Sequence, residues 1–534
     1  MNKWMILSIG HPFATLMKNW HWELLVFFAG MISVRGLPPH HEQMTMMLAL
    51  AVLILAIHRV SRKRGARLGF LFGLGHHFLG FSWLLTSLHQ HGNLPMGVAL
   101  LVLALLAAVM ALYVAVFGGL LTLLAPRPGL LPLAAPSLWV VCEWLRSHLF
   151  SGFPWNLVGY GWNNQERIMQ VADLGGVLLL SWFMVFPAAI MTWIFIEKFN
   201  FKTLIWGVTL ILASLLLTTG YGLWRSNELS ALQEQDVWTH PLKVALIQGN
   251  VEQVRKWDPK YREEGFSKYL KLTGEINELV DLVIWPETAI AYFLQASPES
   301  QKRIVAATQR VGAPILTGAP MADRGKDGQW LFYNSMILLD ESGSLTRRYN
   351  KYHLVPFGEY IPFRNIMPGF IKKMTVGTED FSHGPGPIPL PWEHGAIGAL
   401  VCYETIFPHE VRDLARASAR WLVNVTNDAW FGESAKPQHL AMARFRAVEN
   451  RLPMIRVANT GISAVFDSLG RELGRIPPNR TGTLVVKVHQ GLGRSFFQKT
   501  EPWWIGLWLY MCATAWLMGL KPARKWWRKS GATF

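Results

Sequence analysis

Three reactive side chains stand at the ends of apolar stretches in the second half of this 534-residue chain. Glu287, Lys351 and Cys402 each follow residues that predict a buried strand. A thiol attacks an acyl carbon best as the thiolate, and a neighbouring ammonium group lowers the pKa of a thiol. A carboxylate within reach takes the proton as a general base, and the ammonium group also stabilises the oxyanion of a tetrahedral intermediate. These residue types together favour cysteine-based acyl chemistry.

The elements that must position these residues alternate between strand and helix along the second half of the chain. This alternation is typical of an α/β domain. The predicted strands cover 242–250, 282–285, 314–318, 333–339, 344–350, 395–404, 421–426, 454–459 and 462–467, of which the last two are the final strands. Because strand ends converge on one edge of an α/β sheet, we expect the carboxylate, the ammonium group and the thiol to meet there.

Each of these residues also has an ordinary structural explanation. Glu287 follows Pro286, and a carboxylate in the first turn of a helix is stabilised by the helix dipole. Lys351 suits an exposed surface, and Cys402 suits a small buried apolar position. Only the joint occurrence of the three in one domain favours catalysis over these explanations.

Long apolar stretches dominate the rest of the chain, which is 51% hydrophobic and contains 25 tryptophans. This composition is typical of a membrane protein that carries a large soluble domain. Eight stretches are predicted to form membrane helices, most of them long enough to cross roughly 30 Å of hydrocarbon. They cover 22–34, 43–58, 68–88, 96–124, 130–148, 172–196, 203–223 and 503–520. The predicted units are a bundle at 1–223, a domain at 224–502, and a last helix with its tail at 503–534.

The net charge of +16 is concentrated around the apolar stretches. Residues 224–502 contain 33 Lys and Arg against 29 Asp and Glu, whereas the remainder contains 18 against 6. Lys and Arg accumulate in short cytoplasmic loops, so the basic groups at 59–67 and 521–529 are expected to face the cytoplasm. The crossings between them then place the soluble domain outside the cytoplasm. This distribution argues against a nucleic-acid partner.

The three cysteines are Cys142, Cys402 and Cys512, and only Cys402 falls in the predicted soluble domain. A thiol without an evident disulfide partner in an oxidising compartment is expected to be reactive or sequestered. His409 and His439 are far apart in the sequence and have no neighbouring cysteine, so no metal site is predicted.

Several short motifs in the domain resemble one enzyme superfamily. Trp285-Pro286-Glu287, Lys351 followed by Glu359, and Cys402-Tyr403-Glu404 resemble the Glu-Lys-Cys triad of the nitrilase superfamily. The apolar stretches, the segment from Asn250 to Lys256-Trp257 and the run Asn427-Asp428-Ala429-Trp430-Phe431-Gly432 extend the resemblance. With them the sequence is similar to the membrane-embedded branch, the apolipoprotein N-acyltransferases of Gram-negative bacteria. The resemblance covers nearly the whole chain.

The resemblance implies a nitrilase-like α-β-β-α sandwich inserted between the last two of about eight transmembrane helices. It implies that Cys402 takes an acyl chain from a membrane phospholipid as a thioester, with Glu287 as the base and Lys351 as the oxyanion partner. The N-terminal amine of diacylglyceryl-cysteine on an apolipoprotein then attacks this thioester.

The same resemblance implies roles for further residues. Glu359 is expected to orient Lys351, and four other residues are expected to shape or gate the substrate site. These four are Trp257, Tyr403, Glu404 and Trp430. No metal or organic cofactor is implied, and the implied partners are the phospholipid donor, the apolipoprotein acceptor and the lipid bilayer. The implied location is the bacterial inner membrane, with the catalytic domain on the periplasmic side.

Two other functions are compatible with the same residues. A membrane-tethered nitrilase-like amidase would give its thioester to water, although a small soluble substrate needs no membrane bundle. A non-enzymatic receptor on this fold would typically lack one triad residue, and all three are present. The Gly- and Pro-rich stretch 368–391 is predicted to be a mobile loop or lid that dips into the membrane interface, because it carries apolar rings beside basic side chains.

Overall fold

The structure is a computed structural model that describes residues 19–235, 241–253, 256, 258, 260–364, 380–491 and 495–520. Three features of the sequence predictions lie outside these ranges: Trp257, residues 368–379 of the predicted mobile loop, and the basic tail after residue 520.

Seven long helices precede the sheets in the described part of the chain, and they overlap the first seven apolar stretches. They are α1 (Asn19–Ser33), α2 (Gln43–Ile57), α3 (Arg62–Gly80), α4 (Met96–Leu124), α5 (Leu131–His148), α6 (Ala172–Ile196) and α7 (Phe201–Gln235). The third helix ends before its predicted stretch does, and the seventh continues past the predicted end at 223. Local signals set some of their starts. Ser61 caps α3 by accepting the backbone N–H of Arg64, and Pro132 lies in the first turn of α5, where its missing N–H costs nothing.

Two β-sheets form the soluble domain. The strands are β1 (Leu242–Gln248), β2 (Leu282–Ile284), β3 (Ile315–Arg324), β4 (Trp330–Leu339), β5 (Leu345–Asn350), β6 (Ile397–Val401), β7 (Trp421–Thr426), β8 (Met454–Ala458), β9 (Ser463–Phe466), β10 (Glu472–Ile476) and β11 (Gly482–Val488). One sheet has the order β11-β1-β2-β3-β4-β5 and the other β10-β9-β8-β7-β6. The centre of each sheet is parallel, which explains why β1, β2, β6 and β7 are apolar on both faces.

Four helices cover the outer faces of the two sheets. They are α8 (Arg262–Gly274), α9 (Pro298–Val311), α10 (Pro408–Arg416) and α11 (Ala435–Asn450), and α12 (Phe497–Leu520) follows the domain. Leu246 and Leu316 of one sheet pack against Val401 and Val423 of the other in a shared core. Separate clusters join each sheet to its own helices. The architecture is therefore the predicted α-β-β-α sandwich.

The prediction that the strand at 462–467 is the last one was wrong, because β10 and β11 follow it. β10 is mostly exposed, so its sequence lacks the apolar pattern on which the prediction depended. β11 pairs antiparallel with β1, with Val486 opposite Val244. Such a pairing between the two ends of a domain leaves no local signal in the sequence.

The bundle and the domain share one hydrophobic core. Tyr403, Phe407 and Phe445 of the domain belong to the same buried cluster as the inward-facing residues of the bundle. A buried ion pair adds to this contact, since Nε of Arg451 donates to Oδ2 of Asp173 at 2.8 Å and both side chains are fully buried. The domain is consequently fixed on the bundle by packing and by charge.

Five of the described helices are long and apolar enough to cross a membrane: α4, α5, α6, α7 and α12. The apolar helix α2 is shorter. α3 begins with a basic run, Arg62-Lys63-Arg64, which lowers its hydropathy.

A break in α6 provides the docking site of α12. Gly176 has φ +67°, so the helix is interrupted there. The carbonyl oxygen of Leu174 accepts hydrogen bonds from Oγ1 of Thr500 at 2.6 Å and from Nε1 of Trp504 at 2.8 Å. The helix that follows the domain is thereby bonded to the bundle.

Gly176→Ala is expected to lower the free energy of unfolding by about 1–3 kcal/mol, because a side chain strains left-handed backbone. The added Cβ would also lie 2.7 Å from the ring of Phe497. Thermal denaturation in detergent measures the effect. Gly220→Ala is the matched control, since nothing lies within 4 Å of a Cβ at Gly220 in α7. Equal denaturation midpoints for the two variants would contradict this account.

Candidate active site

The thiol of Cys402 is held at the end of β6 by a tight backbone turn. The strand ends at Val401, and Cys402–Ile406 form a turn of 3-10 helix. Cys402 has φ +52°, a left-handed conformation that residues other than glycine rarely adopt. Such strain persists only where the surroundings enforce it, and it is concentrated at functional sites.

Glu287 follows β2 and keeps one carboxylate oxygen free. Its Oε1 accepts a hydrogen bond from Nδ2 of Asn334 at 2.8 Å, and its backbone carbonyl accepts one from Nζ of Lys256 at 2.8 Å. Its Oε2 is buried and has no hydrogen-bond partner among the described residues. A buried oxygen without a donor is costly in a purely structural role. This atom is therefore the candidate proton acceptor of the site.

Lys351 follows β5 and is only 1% exposed. Its Nζ lies 2.8 Å from Oε2 of Glu359, which also accepts the backbone N–H of Val355. The other oxygen of Glu359 accepts a hydrogen bond from Nδ2 of Asn334 at 2.9 Å. Asn334 thus links the carboxylates of Glu287 and Glu359, and Glu359 makes the contact with Lys351 that orienting the ammonium group requires.

The surroundings of Cys402 favour a neutral thiol in the resting site. Burial raises the pKa of Cys402, Glu287 raises it further, and Lys351 opposes them only in part. Burial lowers the pKa of Lys351, but Glu359 and Glu287 outweigh burial and hold that pKa above its ordinary value. Lys351 therefore lowers the pKa of this thiol, as expected, but burial and Glu287 together raise it by more. A neutral thiol needs a base during attack.

Glu404 does not line the cavity described below, although it was predicted to shape the substrate site. Its Oε1 accepts hydrogen bonds from Oη of Tyr349 and from the backbone N–H groups of Tyr352 and His353, at 2.7, 2.7 and 3.1 Å. Its Oε2 accepts the backbone N–H of Val401 at 2.7 Å. Burial raises the pKa of Glu404 to about 7. The carboxylate joins the turn after β6 to the segment after β5.

A cavity of about 630 Å³ lies between the bundle and the domain, and Glu287, Lys351 and Cys402 are in its wall. This volume is within the range of about 300–1,000 Å³ that is typical of ligand sites. The rest of the wall is mostly apolar, with side chains from α4, from the segment between α3 and α4, and from the domain. These include Trp83, Leu106, Val109, Met110, Phe357, Phe363 and Phe431.

Two of the other predicted substrate-site residues, Tyr403 and Trp430, also line this cavity. Oγ of Ser87, from the bundle side, donates to the backbone carbonyl of Trp430 at 2.5 Å. This hydrogen bond therefore joins the bundle to the domain at the cavity wall. Trp257 lies outside the described residues, so its role stays a prediction.

Three residues of the site were not identified from the sequence. Asn334 is a polar residue inside an apolar strand, which is a signal that could have found it. Lys256 was part of the resemblance but was given no role, and burial lowers its pKa to about 8 beside Glu287. His439 was considered only as a metal ligand, whereas its Nε2 lies 3.3 Å from the backbone carbonyl oxygen of Cys402. Within the described ranges, no three His, Cys, Asp or Glu side chains are grouped as a metal site requires.

The sandwich and its Glu-Lys-Cys arrangement define a carbon-nitrogen hydrolase domain, and residues 243–496 match the family of that name. Residues 29–190 match the N-terminal domain of apolipoprotein N-acyltransferase. The apolipoprotein N-acyltransferase of Geobacter metallireducens is 37% identical over 484 residues, covering 89% of this chain and 91% of the relative. The enzyme of that name from Vibrio vulnificus is 32% identical over 512 residues, covering 94% and 96%. The chain therefore belongs to the apolipoprotein N-acyltransferase family.

A solved structure, the carbon-nitrogen hydrolase from Helicobacter pylori, is also similar to this chain. It has a TM-score of 0.36 and 18% sequence identity, and the match covers 51% of this chain and 94% of that one.

Glu287→Gln is expected to lower the pKa of Cys402, because it removes an anion that raises this pKa while the cation of Lys351 remains. Lys351→Met is expected to raise the same pKa, because it removes the cation. The pH dependence of iodoacetamide alkylation measures both shifts, in a background where Cys142 and Cys512 are replaced by alanine. Shifts in the same direction would contradict the charges assigned to the site.

Proposed function

We propose that this protein transfers a fatty acyl chain from a membrane phospholipid to the N-terminal amine of diacylglyceryl-cysteine on an apolipoprotein. One observation carries the proposal: a thiol, a candidate base and an ammonium group lie in the wall of a large apolar cavity beside a membrane bundle. Such a cavity suits an alkyl chain, because the transfer of each methylene group out of water is favourable by about 0.8 kcal/mol. The names of the relatives support the same reaction.

In the first half-reaction the thiol of Cys402 attacks the ester carbonyl of the phospholipid. Glu287 accepts the thiol proton through its free Oε2, and the ammonium group of Lys351 stabilises the oxyanion. The C–S bond forms, the ester C–O bond breaks, and Glu287 returns the proton to the glycerol oxygen that leaves. The products are a thioester on Cys402 and a lysophospholipid.

In the second half-reaction the amine of the apolipoprotein attacks the thioester carbonyl. Lys351 again stabilises the oxyanion while the C–N bond forms and the C–S bond breaks. Glu287 accepts a proton from the amine and returns it to the sulfur of Cys402. The two steps are linked through one covalent enzyme form, so the kinetics are of the ping-pong type.

The proposed location is the bacterial inner membrane, with the catalytic domain on the periplasmic side between the last two of eight membrane helices. The basic start of α3 supports this orientation, since such residues favour the cytoplasmic face. A domain that rests on the bundle reaches both lipid substrates without extracting their acyl chains into water.

Phospholipid labelled in its acyl chain is expected to label this protein with an adduct that hydroxylamine releases. Cys402→Ala should carry no adduct, because the thioester sulfur is absent. Addition of a diacylated lipopeptide with a free N-terminal amine should discharge the label onto the peptide. Gel autoradiography before and after hydroxylamine measures each step.

Two outcomes of that experiment would contradict the proposal. An adduct that persists in Cys402→Ala would exclude the thioester at this residue. Discharge by water as fast as by the lipopeptide amine would favour the alternative, a membrane-tethered amidase. An acetylated lipopeptide is the matched control, because it has the same acyl chains without a nucleophilic amine.

Asp327→Cys is expected to react with a membrane-impermeant maleimide in intact spheroplasts, because Asp327 lies in the exposed turn between β3 and β4. Lys63→Cys, at the exposed basic start of α3, should react only after permeabilisation. The native cysteines are all buried and give a low background. The opposite labelling pattern would reverse the proposed orientation.

A further inference from the structure

The left-handed turn at Cys402 is held through the backbone carbonyl of Cys402 itself. Nδ2 of Asn424 and Nε2 of His439 each lie 3.3 Å from this carbonyl oxygen. Asn424 is on β7 and His439 is on α11, so two different elements hold the turn. Neither side chain takes part in the Glu-Lys-Cys chemistry.

Arg456 fixes both of these donors. Its guanidinium group donates to Oδ1 of Asn424 and to Oδ2 of Asp428, the latter at 2.7 Å, and its Nη2 lies 3.1 Å from Nδ1 of His439. A carbonyl oxygen only accepts, so Nε2 of His439 carries the hydrogen that contacts Cys402. Burial and Arg456 lower the pKa of His439, which favours the neutral ring with Nδ1 as an acceptor.

A tryptophan of the membrane bundle packs against this histidine. Trp155 follows α5, and its ring centroid lies 5.6 Å from that of His439. Nε1 of Trp155 donates to Oε1 of Gln438 at 2.7 Å. The same ring contacts Trp83 and Phe431, at centroid distances of 4.6 and 5.7 Å. Because Trp83 and Phe431 line the cavity, Trp155 connects His439 to the wall of the proposed acyl site.

We propose that His439, supported by Trp155, is a positioning residue for acyl transfer: its N–H holds the carbonyl of Cys402 and thereby the turn that aims the thiol. The inference rests on the proposed thioester chemistry. His439 is not the base, because its Nε2 is engaged by a backbone carbonyl and its Nδ1 lies against Arg456 and Asp428. The membrane bundle thus contributes to the geometry of the nucleophile.

Single-turnover kinetics of the full chain in detergent test this inference, with labelled phosphatidylethanolamine as the donor and the thioester as the product. His439→Leu removes the N–H and is expected to lower the rate constant of thioester formation about 10- to 100-fold, the effect of a small misplacement of a reacting group. The KM for the donor should stay within about twofold, because His439→Leu does not change the contacts that bind the donor equally in the ground state and the transition state. His439→Gln keeps an N–H and should recover most of the rate. Trp155→Phe should lower the rate constant severalfold.

Phe445→Leu is the matched control, because Phe445 is buried on the same helix but packs against Tyr160 of the bundle. It should lower the denaturation temperature without changing the rate constant. A wild-type rate constant in His439→Leu, a change in KM alone, or an equal loss in Phe445→Leu would overturn the inference. If His439→Leu does not fold, Trp155→Phe decides, and an unchanged rate constant in that variant overturns it. A wild-type protein that forms no thioester would refute the proposed function instead.

Discussion

The three reactive groups come from two different sheets, so their spacing depends on the polar contacts that join those sheets at the site. Glu287 and Lys351 follow strands of the six-stranded sheet, and Cys402 follows a strand of the five-stranded sheet. Glu404 makes one such contact, because one of its oxygens accepts the backbone N–H of Val401 and the other accepts backbone N–H groups just after Lys351. The apolar core between the sheets could not define this spacing alone, since hydrophobic contact has no direction.

A second constraint is the burial of charge beside an apolar cavity. The ammonium group of Lys351 is almost fully buried, and an unpaired charge there would be strongly destabilising. Glu359 supplies the opposite charge, and Asn334 fixes Glu359 and Glu287 together through its two N–H groups. Each carboxylate oxygen of Glu287 and Glu359 has a hydrogen-bond or ion-pair partner, except Oε2 of Glu287. This acceptor, which is open among the described residues, therefore lies where the proposed chemistry requires a proton to be taken.

The sequence was sufficient to predict the α/β sandwich and the strand ends that carry Glu287, Lys351 and Cys402, because an apolar run that stops at a polar residue is a local pattern. Contacts between distant segments left no such pattern. The pairing of β11 with β1 and the bridge made by Asn334 both depend on the folded chain. The resemblance implied that Glu404 shapes or gates the substrate site. The tight turn instead directs its carboxylate toward Tyr349 and the backbone.

The bundle forms part of the site. It supplies apolar wall to the cavity that holds Cys402, and Trp155 packs against the histidine that contacts the Cys402 carbonyl. Without the bundle, Tyr403, Phe407 and Phe445 would form an uncovered apolar surface, and the cavity would be open on one side. The sandwich supplies a thiol, a base and a cation that suit many acyl substrates. The choice of the proposed lipid substrate therefore depends on the apolar helices that complete the cavity.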